Sequence, residues 1–124
     1  MMLLLVVTGI LAATSSWAAK NPELYAKGQK VFQTNCVLCH GAKGDGAGPA
    51  GAALKPPPRN YSTDKFKQGC SEKELLNTVT KGVPGTAMAS FSSLPEDDRK
   101  AVAHYIFHEF VNGKNPNCKK IWEK

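Results

Sequence analysis

Two cysteines and a histidine stand close together in the segment Cys36-Val37-Leu38-Cys39-His40. Two thiols one helical turn apart can each add across a porphyrin vinyl group, which forms two thioether bonds. The imidazole next to the second thiol then falls under the iron, so this spacing is the pattern of covalent haem attachment. It predicts one covalently bound haem c, with Cys36 and Cys39 as the attaching thiols and His40 as an iron ligand.

Three other uses of the cysteine pair are less consistent with the surrounding sequence. A thioredoxin-like redox pair follows a strand, whereas a helical pattern precedes Cys36. A zinc site normally needs a second close pair of ligands, and Cys70 and Cys118 stand alone. A simple disulfide explains neither the adjacent His40 nor the glycine-rich segment that follows it.

Met88 is the candidate for the second axial ligand of the iron. The chain has three methionines, and Met1 and Met2 fall within a predicted leader. Met88 lies about fifty residues after His40, on the Gly/Pro-containing segment 83–93, which is long enough to reach the opposite face of a haem. A core methionine belongs on a helix face, so its place on an irregular loop favours ligation of iron.

The first eighteen residues read as a signal peptide. An apolar run of about a dozen residues is the length of a signal-peptide core and is too short for a membrane span. Ser16-Trp17-Ala18 predicts cleavage before Ala19, although no Lys or Arg precedes the run. We therefore divide the chain into a signal peptide, 1–18, and one domain, 19–124, with an uncleaved membrane anchor as the alternative.

The composition favours a protein partner. The 124-residue chain has a formal net charge of +6, and fourteen of its sixteen basic residues are Lys. The aromatic residues are spread along the chain and form no stacking strip, so we expect no nucleic-acid binding. Scattered Lys is more simply a field that steers an acidic partner protein.

The elements that must position these residues are helices. A cap at Asn21 and apolar spacing predict a helix over 22–35, and Ser71-Glu72-Lys73-Glu74 is a capping box that opens another, ended by Gly82. A last helix begins at Pro95 and stops at Asn112-Gly113. The glycine-rich segment 41–51 and Pro56-Pro57-Pro58 are loops. The fold class is therefore all-α, with three to five short helices and long loops around one haem.

The mature chain resembles a class I c-type cytochrome, specifically a small bacterial monohaem cytochrome c, over nearly its whole length. The resemblance rests on four motifs: Gly28-x-x-x-Phe32-x-x-x-Cys36 in the first helix, Val102-x-x-Tyr105 in the last, the methionine-ligand segment Gly82–Phe91, and Gly48-Pro49. It implies the cytochrome c fold, in which the glycine lets the two terminal helices cross closely. It also implies that a proline carbonyl, from Pro49 or one of Pro56, Pro57 and Pro58, accepts the hydrogen bond of His40.

The remaining candidates have simpler interpretations. In an oxidising compartment Cys70 and Cys118 are expected to pair as a disulfide, with two buried thiols as the alternative. His104 and His108, four apart on the last helix, could bind a metal or replace Met88, but we interpret them as solvent-facing. We expect that Arg59, Asn60 and Tyr61 reach a haem propionate, and that Lys43, Lys55 and Lys81 surround the haem edge for docking.

Ligation by His40 and Met88 leaves the iron no vacant position, which predicts an electron-transfer protein and not an enzyme. We expect a monomeric, periplasmic shuttle without membrane insertion after cleavage, which carries single electrons between redox partners with acidic docking surfaces. One alternative is a haem-containing subunit of a membrane respiratory complex. A second alternative is a haem enzyme or gas sensor with a labile Met88.

Overall fold

A computed structural model describes residues 19–118, and within that range the chain is helical without strands. The helices are α1 (Pro22–Asn35), α2 (Val37–His40), α3 (Glu72–Lys81) and α4 (Glu96–Ile106). A 3₁₀ turn at Gly51–Ala53 follows α2, and a π-helical turn at Phe107–Val111 continues α4. The all-α prediction is confirmed. The predicted signal peptide, 1–18, and the last six residues lie outside the described part of the chain.

The start of α1 follows directly from its first residues. The Asn21 side chain accepts a hydrogen bond of 3.0 Å from the Leu24 N–H, Pro22 opens the helix, and Glu23 lies in the first turn. A cap accepts a hydrogen bond from a free N–H group, a proline at the first position lacks an N–H that would stay unbonded, and an acidic side chain is attracted to the positive end of the helix. The boundary predicted from the sequence is therefore confirmed.

Helices α1 and α4 cross at Gly28. A Cβ atom added to Gly28 would overlap the backbone carbonyl of Ala101 and come within 2.7 Å of the Tyr105 Cβ. Only a residue without a side chain permits this approach. An ion pair of 3.0 Å between the Lys27 Nζ and the Asp98 carboxylate joins the same two helices at the surface.

The capping box predicts the start of α3 correctly. The Ser71 hydroxyl accepts a hydrogen bond from the Glu74 N–H, and the Glu74 carboxylate accepts one from the Ser71 N–H, at 3.2 and 3.0 Å. The Ser71 N–H and the Ser71 hydroxyl both donate to the Glu74 carboxylate, and these two bonds lower the pKa of that carboxyl. Helix α3 buries Leu75 and Val79 and ends at Gly82, whose φ of 70° is a conformation that favours glycine.

The core lies between α1, α4 and the loops that pack on them. Helix α4 and the π-helical turn that continues it supply most of the core, together with Phe32 of α1 and Tyr61 of the loop that precedes α3. Phe32 contacts the rings of Tyr61, Tyr105 and Phe110, with centroids 5.3–6.4 Å apart. Val102, Tyr105 and Ile106 of α4 and Phe110 of the turn that follows are all buried.

The C-terminal segment is fixed to the first long loop. The buried Asn115 amide donates hydrogen bonds of 2.8 Å to the carbonyls of Tyr61 and Asp64. Cys70 and Cys118, both buried, have their sulfur atoms side by side and their Cα atoms 6.2 Å apart. That Cα separation lies within the range of disulfide bonds. Between residues 19 and 118, no helix is long and apolar enough to span a membrane.

Candidate haem site

The five residues of the attachment pattern form the junction between α1 and α2. The N–H of Cys36 still bonds the Phe32 carbonyl, at 2.9 Å, and its own carbonyl accepts the N–H of His40, at 2.9 Å. Helix α2 is one turn long, so Cys36 and Cys39 lie one turn apart with His40 beside the second sulfur. The structure thus brings Cys36, Cys39 and His40 together as the sequence predicts.

The imidazole of His40 is fixed by a hydrogen bond to a backbone carbonyl. Its Nδ1 lies 3.3 Å from the Arg59 carbonyl oxygen, and only Nδ1–H can donate to that acceptor. The lone pair is then on Nε2, the nitrogen available to a metal. Burial lowers the pKa of His40, although the Arg59 carbonyl opposes part of the shift. The ring therefore has a fixed orientation and favours its neutral form.

The prediction that a proline carbonyl accepts this hydrogen bond is wrong. Pro49 is exposed, and the loop around it folds back on α2 through bonds from the Gly48 and Ala50 N–H groups to the Cys39 and Leu38 carbonyls. That turn binds the backbone of α2 and not the ring. The chain instead passes His40 one residue after Pro56-Pro57-Pro58, and the acceptor is Arg59.

Tyr61 covers one face of the His40 ring, a contact that sequence reasoning missed. The two rings are stacked with centroids 4.7 Å apart, and Tyr61 is itself packed between Phe66 and Phe110. Burial raises the pKa of the Tyr61 hydroxyl well above its usual value. No pattern in the sequence links Tyr61 to His40.

The three residues expected to contact a haem propionate, Arg59, Asn60 and Tyr61, make other contacts in this structure. The Arg59 guanidinium donates to the Lys65 carbonyl and lies 5.6 Å from the centre of the Phe66 ring. The Asn60 side chain accepts the Ser62 N–H at 3.0 Å, and Tyr61 is buried. Local loop contacts therefore account for all three side chains, so the propionate role stays a prediction.

The two attachment cysteines are half-buried and are not paired with each other. Burial raises the pKa of the Cys36 thiol to about 12, and the neighbouring Cys39 adds to that shift. Thioredoxin-like pairs work through a thiol with a lowered pKa. The raised value disfavours a redox dithiol, whereas a thioether forms no charge and suits a half-buried site.

Met88 lies on the loop between α3 and α4, as predicted, and is half-buried. Its carbonyl accepts the Val83 N–H at 3.0 Å, and its N–H donates to the Thr86 hydroxyl at 3.1 Å. A Cβ atom on Gly82 would come within 2.7 Å of the Met88 carbonyl, so glycine is needed where this loop closes. The thioether is thus carried by a short, hydrogen-bonded loop.

The interpretation of His104 and His108 as solvent-facing is wrong. His104 is only 3% exposed, and both rings bind the carboxylate of Glu72, at 3.0 and 3.1 Å. Burial lowers the pKa of His108, and the neighbouring His104 lowers it further. The two histidines lie on the side of α4 that packs against α3, and helical spacing alone does not show which side is covered. By contrast, Lys43, Lys55 and Lys81 are exposed.

The donor set fits a haem c. Two unpaired sulfur atoms lie one turn apart, and beside them is a neutral imidazole whose Nδ1 is already bonded, which leaves Nε2 for iron. Leu38, between the two cysteines, is 63% exposed.

Helical fold and attachment site together define a class I c-type cytochrome, and the comparisons with known proteins agree. Residues 23–106 match the family described as cytochrome C oxidase, cbb3-type, subunit III, and the chain belongs to this family. Its cofactor is therefore haem c, and it is an electron-transfer cytochrome.

Two relatives of known class are similar in sequence to this chain, a cytochrome c6 and an oxidase subunit. The chain is 33% identical over 92 residues to cytochrome c6 of Cladophora glomerata, covering 74% of this chain and 96% of that protein. It is 35% identical over 89 residues to the cbb3-type cytochrome c oxidase subunit FixP of Bradyrhizobium diazoefficiens, covering 72% of this chain but 28% of the subunit. The chain thus spans about a quarter of that oxidase subunit and nearly the whole length of the cytochrome c6.

Solved structures agree on the fold. The chain is similar to the reducing HAO-like protein complex of Kuenenia stuttgartiensis, with a TM-score of 0.66 and 29% identity over 74% of this chain and 46% of that one. It also resembles cytochrome CL of Methylophaga aminisulfidivorans, with a TM-score of 0.56 and 21% identity over 73% of this chain and 55% of that one. The second likeness bears on the fold alone.

Proposed function

We propose that this chain is a diffusing monohaem electron shuttle, with His40 and Met88 as the two axial ligands of its iron. The observation that carries the proposal is the oriented His40, whose Nδ1 faces the Arg59 carbonyl and whose Nε2 is left for iron. Met88 supports it, since it is the sole methionine after the predicted leader and lies on a hydrogen-bonded loop. Cys36 and Cys39 would supply the thioethers.

The haem, when bound, supplies a one-electron couple whose reduced form is favoured by a neutral thioether opposite an imidazole. The protein's residues contribute by holding both ligands in place. The Arg59 carbonyl and the Tyr61 ring restrict rotation of His40, and the Thr86 hydroxyl holds the Met88 backbone. Ligands that do not rearrange suit rapid electron transfer, and a filled coordination sphere leaves no place for a substrate. We therefore propose that the chain is not itself an enzyme.

We propose that the protein works in the periplasm as a monomer. The residues before Ala19 would be removed as a signal peptide, leaving the domain 19–124. Export exposes thiols to an oxidising compartment, where Cys70 and Cys118 would form a disulfide. Their burial and their Cα separation of 6.2 Å support that bond.

We propose that its redox partners present acidic docking surfaces. The formal charge is +6, and Lys43, Lys55 and Lys81 are exposed. Lysine side chains steer an acidic partner through long-range attraction, which dissolved salt screens. The rate of electron exchange with such a partner should therefore fall as ionic strength rises.

A haem-bearing subunit of a membrane respiratory complex is the second candidate. The family description and the FixP relative both refer to a cbb3-type oxidase, which favours it. N-terminal sequencing of the purified protein and its recovery from soluble or membrane fractions separate the two. An intact leader in the membrane fraction would favour the subunit, and a soluble protein that begins at Ala19 would favour the shuttle.

The ligand assignment is tested by the far-red charge-transfer band of sulfur-ligated ferric haem. We expect the oxidised protein to show this band and Met88→Ala to lose it. Met88→His, which replaces sulfur by nitrogen and keeps six ligands, should also lose the band but still exclude carbon monoxide. Rapid binding of carbon monoxide by the reduced, unaltered protein would instead indicate a sensor or enzyme with a labile Met88.

A further inference from the structure

A second cluster of metal-binding side chains lies between α3 and α4. Glu72, His104 and His108 each offer one ligand atom, and these atoms lie within 4.8 Å of one another. The Glu72 carboxylate bonds the His104 Nδ1 through one oxygen and the His108 Nε2 through the other, and the two ring centroids are 4.3 Å apart. None of the three belongs to the residues that hold the haem.

The cluster is enclosed by protein on the histidine side and open on the carboxylate side. The side chains of His104 and His108 are 4% and 5% exposed, whereas that of Glu72 is 27% exposed. Burial restricts both rings, so little further ordering would be needed to hold an ion. The partly exposed Glu72 provides an entry path from solvent.

We infer that Glu72, His104 and His108 form a site for one divalent transition-metal ion. Zn²⁺ is the ion whose usual ligands match these three side chains. Two imidazoles and one carboxylate are a known zinc donor set with a fourth position for water. Ligands at roughly 2.0–2.1 Å from a tetrahedral ion lie about 3.4 Å apart. The Glu72 oxygens lie 3.0 and 3.1 Å from the two imidazole nitrogens, and all three ligand atoms are within 4.8 Å of one another, so side-chain rotations that lengthen the N–O distances slightly would admit the ion. Imidazole nitrogen excludes Mg²⁺ and Ca²⁺, which prefer oxygen.

Metal binding at this site would change the hydrogen bonding of α1. The His104 Nε2 accepts the Asn21 N–H at 3.0 Å, so its Nδ1 now carries the proton that faces Glu72. An ion on Nδ1 displaces that proton. If the ring stays neutral, the proton moves to Nε2 and opposes the Asn21 N–H. We therefore expect the ion to release the start of α1 from His104, which separates a metal site from a purely hydrogen-bonded cluster.

The test is a titration of the oxidised haem-loaded protein with ZnCl₂, in which isothermal titration calorimetry measures the stoichiometry and the affinity. We expect one Zn²⁺ per chain. Glu72→Gln, which keeps the shape of the side chain, and His108→Asn should each weaken binding by at least about tenfold. Glu96→Gln is the matched control, since Glu96 is an exposed carboxylate at the start of α4 that bonds Lys100 instead. The Glu96→Gln variant should bind Zn²⁺ with the same affinity as the unaltered protein.

Two further readouts keep the result interpretable. The haem absorption spectrum should not change on titration, which shows that His40 keeps its iron, and thermal unfolding of each variant confirms that it folds. Amide hydrogen exchange at Asn21 should accelerate when Zn²⁺ is bound. The inference is overturned if the unaltered protein shows no saturable binding up to about 1 mM Zn²⁺, or if Glu72→Gln binds Zn²⁺ as tightly as Glu96→Gln.

Discussion

His40, the proposed iron ligand, is oriented by two contacts that come from the same loop. The Arg59 carbonyl bonds one edge of the ring, and Tyr61, two positions later, stacks on its face. A hydrogen bond from a ligating histidine to a carbonyl fixes its tautomer and raises the basicity of the other nitrogen. The loop over 59–61 is therefore as much part of the site as the attachment pattern.

Removing the Tyr61 ring should both destabilise the protein and free His40. Tyr61→Ala leaves a cavity among Phe32, Phe66 and Phe110, and we expect the free energy of unfolding to fall by about 3–5 kcal/mol. Tyr61→Phe is the control because it keeps the ring. Denaturant unfolding followed by circular dichroism measures both variants. A loss as large in the phenylalanine variant would show that the hydroxyl, and not the stacked ring, matters.

For individual side chains, the sequence predicts contacts between residues that lie close together along the chain. It does not predict contacts between residues that only the fold brings together. Cys36, Cys39 and His40 lie within five positions, so helical geometry alone brings them together. The acceptor for His40 lies nineteen residues away, and its position depends on the path of an irregular loop. The capping box places Glu72 at a helix start, and nothing local indicates that its carboxylate bonds two histidines of another helical segment.

Among the helices, the contact between α1 and α4 supports the two loops of the candidate site, the loop with residues 59–61 and the loop with Met88. Helix α1 ends just before Cys36, and α4 together with its π-helical continuation supplies most of the core. The two helices approach at Gly28, where the backbone carbonyl of Ala101 occupies the space of a side chain. The position of Cys36 therefore depends on a close contact two turns earlier in the same helix.

A methyl group at Gly28 should separate these two helices. Alanine is the better helix former, so Gly28→Ala would stabilise an isolated helix. In the folded protein the overlap with Ala101 dominates, and we expect a net loss of about 1–3 kcal/mol or more. Thermal unfolding compares it with Gln33→Ala, an exposed position of the same helix. Equal stability of both variants would contradict the close crossing.

Helix boundaries were predictable because their signals are local. The Asn21 cap and the Ser71–Glu74 capping box both form the hydrogen bonds that their residue types suggest. That the side with His104 and His108 is covered as well was not predictable, since these two histidines have the spacing of an exposed polar stripe. The packing of α3 against that stripe is a tertiary contact, which the spacing of the two histidines does not indicate.

Over the whole molecule, the described C-terminal segment is held at two places. Asn115 bonds two carbonyls of the loop that contains Tyr61, and Cys118 lies against Cys70 just before α3. The segment thus links the loop that orients His40 to the helix that precedes the Met88 loop.

Loss of the proposed disulfide should lower stability without loss of haem. The Cys70→Ser/Cys118→Ser variant opens a loop of 48 residues, and we expect the free energy of unfolding to fall by about 2–4 kcal/mol. Denaturant unfolding of this variant is compared with that of the unaltered protein before and after treatment with a reductant. An intact mass that shows two free thiols in the exported protein would contradict the bond.

The central claim is that Cys36 and Cys39 hold one haem covalently while His40 binds its iron. The most direct measurement is acid–acetone extraction of the exported protein, followed by the mass of the extracted chain. Thioether bonds survive acid and acetone, so the colour should stay with the protein and the mass should exceed that of the polypeptide by one haem. A colourless chain with the mass of the polypeptide alone, or haem recovered in the acetone, would contradict the account.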